Sequence, residues 1–305
     1  MLGWLERSPA YFKSQLDRNS EEFETKSLER GKLLHSYIEE PSKFIIADVN
    51  KPGPKTALFV EEFARCRDVA KAKEFAGLAK TTKIETLEAS LKEPEIKNYL
   101  NFLELSNNKI CLNKEDSYKI QGAIAALHRN SISDRLLFPD ALDGDITVHK
   151  ELEIYFSHNG VPTKSKLDNV KINREKKHIT ITDLKTTNEN PHGVLQQTVD
   201  VLDYELPPEI QYKATGWFRS FFKYKYYRQG AFYTEAIKAC YPEYADYTIS
   251  FIFVVVELGN NFEVAVYKLG DQLRMFGLID MERLLEKYIE YEPLGFKSHE
   301  VIITI

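Results

Sequence analysis

Two short stretches decide how this chain reads: Lys164-Ser-Lys-Leu-Asp168 and Ile179-Thr-Ile-Thr-Asp-Leu-Lys-Thr-Thr187. Residues 179–185 alternate with the period of two expected of a half-buried strand, which sends Asp183 and Lys185 to one face and Leu184 to the other. Between the stretches, Asn173-Arg-Glu-Lys-Lys177 is polar and charged, as suits a hairpin loop, so the strands should pair antiparallel and fold Asp168 back toward Asp183. A pair of fixed carboxylates with an ammonium beside them is what Mg²⁺-assisted phosphodiester hydrolysis requires. The carboxylates are hard oxygen ligands, the metal polarises a phosphoryl oxygen and acidifies a water, and the lysine steadies the hydroxide or the developing charge. Taken alone, an Asp-x-Lys strand end is more often an exposed cross-strand ion pair.

Other stretches shift that balance. Glu151-Leu-Glu-Ile-Tyr-Phe156 is an alternating strand just before the hairpin, with both glutamates on its polar side. Gly31-Lys-Leu-Leu-His35 places a small residue and a histidine at i, i+4 on one helical face, and Arg228-Gln-Gly-Ala-Phe-Tyr233 does the same for Gln229 and Tyr233. In this order, Gly-x-x-x-His, a strand Glu, x-Lys-x-Asp, Asp-x-Lys-Thr-Thr and Gln-x-x-x-Tyr resemble the RecB-type branch of the PD-(D/E)XK nucleases, and within it the phage exonuclease VIII (RecE)-like group. Ser8-Pro-Ala-Tyr-Phe-Lys13, the segment from Lys114 to His128 and Tyr226 to Tyr233 look like the same group's layout.

The resemblance implies an α/β (α+β) fold: a PD-(D/E)XK restriction-endonuclease-like core, its mixed central sheet flanked by helices, with a helical N-terminal elaboration. It makes His35, Asp168 and Asp183 metal ligands, Glu151 a further acid and Lys185 the catalytic lysine, while Gln229 and Tyr233 shape the site or hold DNA. Glu153 shares a face with Glu151, and position within the motif favours Glu151. Ser165 stands where RecB-type enzymes often carry glycine, which leaves the ligand chemistry intact. The implied cofactor is Mg²⁺, with Mn²⁺ as a substitute, as two ions. The implied substrate is the end of double-stranded DNA, degraded 5′ to 3′ to leave 3′ tails for a recombinase or single-strand annealing protein. A homo-oligomeric ring and a phage setting, in the host cytoplasm, would be in keeping. An endonuclease or nickase on the same core, or a non-catalytic DNA-end-binding protein, are the alternatives.

With 305 residues, 43% hydrophobic, the chain can bury a sizeable core, and it reads as one elaborated domain over residues 1–305. Residues 1–140 would be the mainly helical part carrying His35, and 141–305 the catalytic sheet and its helices. No apolar run reaches the ~18 residues of a membrane span and the first residues lack a signal-peptide pattern, so a soluble cytoplasmic protein without a membrane partner is expected. Cys66, Cys111 and Cys240 are far apart without Cys-x-x-Cys spacing, which argues against disulfides, structural zinc and a four-cysteine iron–sulfur cluster.

A net charge of −5 sits poorly with a nucleic-acid partner until its distribution is considered. Residues 163–187 carry seven basic residues against three acids, and residues 212–234 carry Lys213, Arg219, Lys223, Lys225 and Arg228 with no acid. Lys166, Lys223, Lys225 and Arg228 are therefore the candidate DNA contacts, although charge runs are often simply solvated faces. The aromatics around them, including Tyr226 and Tyr227, are either core or a stacking surface for unpaired bases.

Capping, breaker and periodicity signals predict helices from Ser8-Pro9 to Leu16, Ser27–Glu39, Ala57–Leu78, Ile84–Leu91, Pro94–Leu105 and Lys114–Arg129. Residues 44–50 read as a connector. Strands are expected over Thr147–Phe156, Lys164–Ile172 and His178–Leu184, then a long helix from Glu209 to Cys240 after Pro207-Pro208. Tyr247–Glu257, almost wholly apolar and β-branched, should be a central strand buried on both faces, with Phe262–Lys268 beside it and a closing helix over Asp271–Tyr291.

Overall fold

The computed structural model describes residues 2–17, 26–46, 49–106, 109–139, 144–197, 212–259 and 261–297. The acidic stretch Glu21–Glu24, Pro207-Pro208 and the expected helix start at Glu209 lie outside these residues. In chain order, helices α1 (Pro9–Asp17) and α2 (Lys26–Glu39) precede strand β1 (Phe44–Ile46), and α3 (Pro54–Cys66), α4 (Val69–Phe75), α5 (Ile84–Ser90) and α6 (Pro94–Ser106) precede β2 (Ile110–Leu112). Then come α7 (Lys114–Arg129), α8 (Ser131–Leu137), and the strands β3 (Ile146–His158), β4 (Val161–Asn173) and β5 (His178–Thr187). Short strands β6 (Leu195–Gln197) and β7 (Tyr212–Ala214), helices α9 (Trp217–Lys223) and α10 (Tyr226–Cys240), strands β8 (Thr248–Glu257) and β9 (Val264–Lys268), and α11 (Asp271–Tyr291) complete the described chain.

The single elaborated domain expected from the sequence is built as two compact units, one of Met1–Leu28 with Ala125–Ile305, the other of Glu29–Ile124. The second unit is helical, with a core around Phe59, Val60, Ala72, Tyr99 and Phe102. Its expected connector holds β1, which pairs parallel with β2. The expected helix over 57–78 is two helices: Arg67 takes a positive φ of 55°, and Asp68 caps α4 by accepting from the Lys71 N–H at 3.0 Å. In the first unit, α1 begins where Ser8-Pro9 predicts, with Ser8 Oγ accepting from the Tyr11 N–H at 3.0 Å. Leu5 and Phe12 pack on Leu284 of α11, so the extreme N-terminal segment belongs with the sheet and not with the other helices.

The central sheet runs β3-β4-β5-β8-β9. β3, β4 and β5 form an antiparallel meander, β8 joins β5 in parallel, and β9 returns antiparallel to β8. A parallel pair needs a crossover, and α9 and α10 lie within it. The first hairpin turns on Asn159-Gly160, both at positive φ (52° and 81°), as a two-residue loop demands. Ile179, Ile181, Phe251, Phe253 and Val255 form a core with Trp217 and Phe221 of α9 and Ala236 and Ile237 of α10. At the other surface of the sheet, Asn169 Nδ2 donates to the Leu136 carbonyl of α8. β5 is thus buried on both faces, not half-buried as its alternation predicts; Thr182, Asp183 and Leu184 are all at most 3% exposed.

The expected long helix ending at Cys240 is divided. Within the described residues β7 pairs with β6, α9 follows, and Lys225 at φ 53° turns the chain into α10. α10 then runs against α11 so closely that a Cβ at Gly277 would lie 2.5 Å from the Tyr227 carbonyl oxygen.

Candidate active site

The ladder between β4 and β5 begins at Asn173↔His178 and its last rung is Asn169↔Thr182, so Asp168 and Asp183 stand one step past its end on adjacent strands. There Asp168 supplies with its side chain what the β4 backbone no longer gives: its Oδ2 accepts from the Leu184 N–H at 3.0 Å. The core positions of β4 are Leu167, then Val170 and Ile172, so its alternation changes phase across Asp168. On β3, Glu151 falls between the rungs Lys150↔Asn169 and Leu152↔Leu167, level with Asp168 in the register. Its φ of 51° is unusual for a residue with a side chain. Its carboxylate is ion-paired with Lys166. The next acid on that strand, Glu153, accepts from Lys164 at 2.9 Å and from the Tyr155 hydroxyl at 2.9 Å.

Asp183 is 1% exposed and clasped from the α10 side. Gln229 Nε2 donates to its Oδ1 at 2.9 Å, and Lys185 Nζ lies 2.8 Å from its Oδ2. That ammonium is the charged partner of the buried Oδ2. Burial pulls the Lys185 pKa down, but the charges of Asp183 and then Asp168 outweigh it and hold the group above its ordinary value. It is therefore an ammonium at neutral pH. Burial raises the Tyr233 phenol and the Asp183 charge adds to the rise, against a hydrogen bond from Gln229. Asp168, Asp183, Lys185, Gln229 and Tyr233 are thus brought to one place, while His35 lies on α2 in the Glu29–Ile124 unit.

The basic stretch reads differently in space. Lys225 lies 2.7 Å from Glu6 and 3.5 Å from Asp280, and Arg228 pairs with both acids, its Nε donating to Asp280 Oδ2 at 3.1 Å. Within a window that holds no acid in sequence, Lys225 and Arg228 are thus paired with two acids from distant elements. Among the described residues no acid pairs with Lys223, whose Nζ lies 5.4 Å from the centre of the Tyr224 ring. Tyr226 and Tyr227 pack against the core, and the exposed aromatic is Tyr224. Sequence reasoning missed Tyr226 as a member of the site: its ring centre is 4.7 Å from Lys185 Nζ. The signal was available, since Tyr226, Gln229 and Tyr233 stand at i, i+3 and i+7 on α10.

Among the described residues no group of three or more His, Cys, Asp or Glu side chains is arranged to hold a metal ion. Asp168 and Asp183 are the acids brought beside Lys185, while Glu151, on the strand next to Asp168, is ion-paired with Lys166. Hard carboxylate oxygens on adjacent strands suit an ion such as Mg²⁺, which is commonly held by one or two carboxylates, retained waters and substrate phosphate.

Neither a protein-family model nor a curated protein matches the sequence. Among solved structures, the chain is similar to a "Putative exonuclease" from Eubacterium rectale, with a TM-score of 0.45 and 13% identity over 92% of this chain and 73% of that one.

Proposed function

We propose that this chain is a Mg²⁺-dependent deoxyribonuclease that degrades duplex DNA from its ends, 5′ to 3′, and leaves 3′ single strands. The observation that carries the reading is the buried Asp183 carboxylate, fixed by Gln229 at one oxygen, paired with a charged Lys185 at the other, and set beside Asp168. An ion held by Asp168 and Asp183 would polarise the scissile phosphoryl group and acidify a water. The chain's own groups do the rest. Gln229 prevents Asp183 from rotating, and Asp168 is held by the Leu184 amide, so both acids are ordered before substrate arrives. Lys185 places a full positive charge where negative charge would grow, in surroundings that exclude most water.

The test is digestion of duplexes labelled at the 5′ or 3′ end, beside covalently closed circles, with Mg²⁺ and with chelator. Expected is release of the 5′ label first from linear DNA, intact circles, and no release in chelator. Cut circles would make the protein an endonuclease or nickase. Binding of ends without hydrolysis in either Mg²⁺ or Mn²⁺ would overturn the enzymatic reading.

A further inference from the structure

Lys185 has a flexible four-carbon stem, and one ion pair fixes a distance without fixing a direction. A second contact supplies the direction. Its Nζ is 2.8 Å from Asp183 Oδ2 and 4.7 Å from the centre of the Tyr226 ring. That ring is itself held. Tyr226 stacks on Trp217 at 6.2 Å and 19°, and Trp217 stacks in turn on Tyr267 at 5.3 Å and 7°. Tyr267 is tied down by a hydrogen bond from its hydroxyl to the Pro191 carbonyl at 2.6 Å. Phe253, on the strand beside β5, closes on Tyr226 from 6.3 Å. Tyr226 occupies this place because the chain turns at Lys225, so that α10 starts with it and presents it on the same face as Gln229 and Tyr233.

We propose that Tyr226 is a positioning residue for the candidate site: the face of its ring, and not its hydroxyl, holds the Lys185 ammonium beside Asp183. The attraction of a cation to a ring face is electrostatic and grows as water is excluded, and the Lys185 side chain is 18% exposed. Without the ring, the 2.8 Å ion pair still sets the ammonium's distance from Asp183 Oδ2 but no longer its direction, so the group is free to swing about that oxygen. The catalytic consequence rests on the proposed nuclease function; the positioning itself does not.

The experiment uses the full chain with lysines labelled by ¹³C at the ε carbon, the Lys185 signal being assigned by its loss in Lys185→Arg. A proton over a ring face is shifted upfield. In metal-free wild type and in Tyr226→Phe the Lys185 ε protons should stand upfield of the other lysines, and in Tyr226→Leu they should return to the common position. With Mg²⁺, Tyr226→Phe should keep cleavage within about twofold and Tyr226→Leu should lose about tenfold, the size expected for a partly desolvated cation–ring contact. An upfield signal that persists in Tyr226→Leu overturns the proposal. So does an ordinary signal in wild type or in Tyr226→Phe, outcomes that stay decisive if the leucine variant fails to fold. If wild type cleaves nothing, the nuclease reading fails while the spectra still decide the positioning.

Discussion

Asp183–Lys185 and Glu153–Lys164 are both carboxylate–ammonium pairs of the same sheet, at 2.8 and 2.9 Å, and their geometry alone would not separate them. Their surroundings do. The first pair has side-chain exposures of 1% and 18% beneath α10, the second 44% and 48% in open solvent. An exposed pair is screened and adds little, whereas removing one partner of a covered pair leaves an uncompensated buried charge. Distance identifies a contact; burial decides whether it matters. The same division separates Arg228 with Asp280 from Lys166 with Glu151.

The sharpest test of that division is cleavage. Asp183→Asn and Lys185→Ala should each lower the single-turnover rate on linear duplex by at least ~10²-fold, the cost of removing a positioned electrostatic group. Glu153→Gln and Lys164→Ala should cleave like wild type. A loss in the exposed pair as large as in the covered one would erase the distinction and move the chemistry to the β3 edge.

Stability gives the next contrast. Arg228, Asp280 and Glu6 have side-chain exposures of 12%, 14% and 29%, so Arg228→Ala strands partly buried acids and should cost ~2–3 kcal/mol in urea unfolding, somewhat below the range for a fully buried pair. Lys164→Ala should leave the urea midpoint unchanged. The pH dependence has a definite sign. Burial alone would raise the Asp280 pKa, but the hydrogen bond and charge of Arg228 outweigh it and hold the carboxyl below 3.8. A carboxyl depressed on folding stabilises above its unfolded pKa, and the gain disappears as pH falls through the folded value. The gap between wild type and Arg228→Ala should therefore be full at pH 7 and shrink below about pH 4. A gap constant to pH 3 would mean that Asp280 is not the partner that matters.

What could be read in the sequence follows from range. Alternation in residues 179–185 and a polar loop at 173–177 were enough to set Asp168 beside Asp183, because a hairpin is a local object. The burial of Asp183 was not legible, since it depends on α10 crossing that face, with Gln229 46 residues away. The breaks at Arg67 and Lys225 left no mark either: both are non-glycine residues at positive φ, which composition does not announce. Short β1 and β2 carry too few residues for a period, and they pair across more than sixty positions of chain. The ion partners of Arg228 were not legible for the same reason, since Glu6 is 222 residues distant.

The finest discrimination is between cations already neutralised and one that is not. Each phosphate contact contributes about 0.7 to 0.9 to the slope of log affinity against log salt, through release of counterions. A cation that merely exchanges a protein carboxylate for a phosphate releases fewer. If the proposed DNA path crosses this face, Lys223→Ala should lower the slope by nearly one contact. The Lys225→Ala and Arg228→Ala variants should lower it by less, because Glu6 and Asp280 hold those cations. The measurement is labelled-duplex binding to metal-free Asp183→Asn protein over a salt series, with each variant's unfolding checked beside it. Equal decrements for all three would show that the acidic brace opens when DNA binds. No decrement for any would take the DNA path off α9 and α10, leaving the Lys164 to Lys177 side of the hairpin as the surface to probe next.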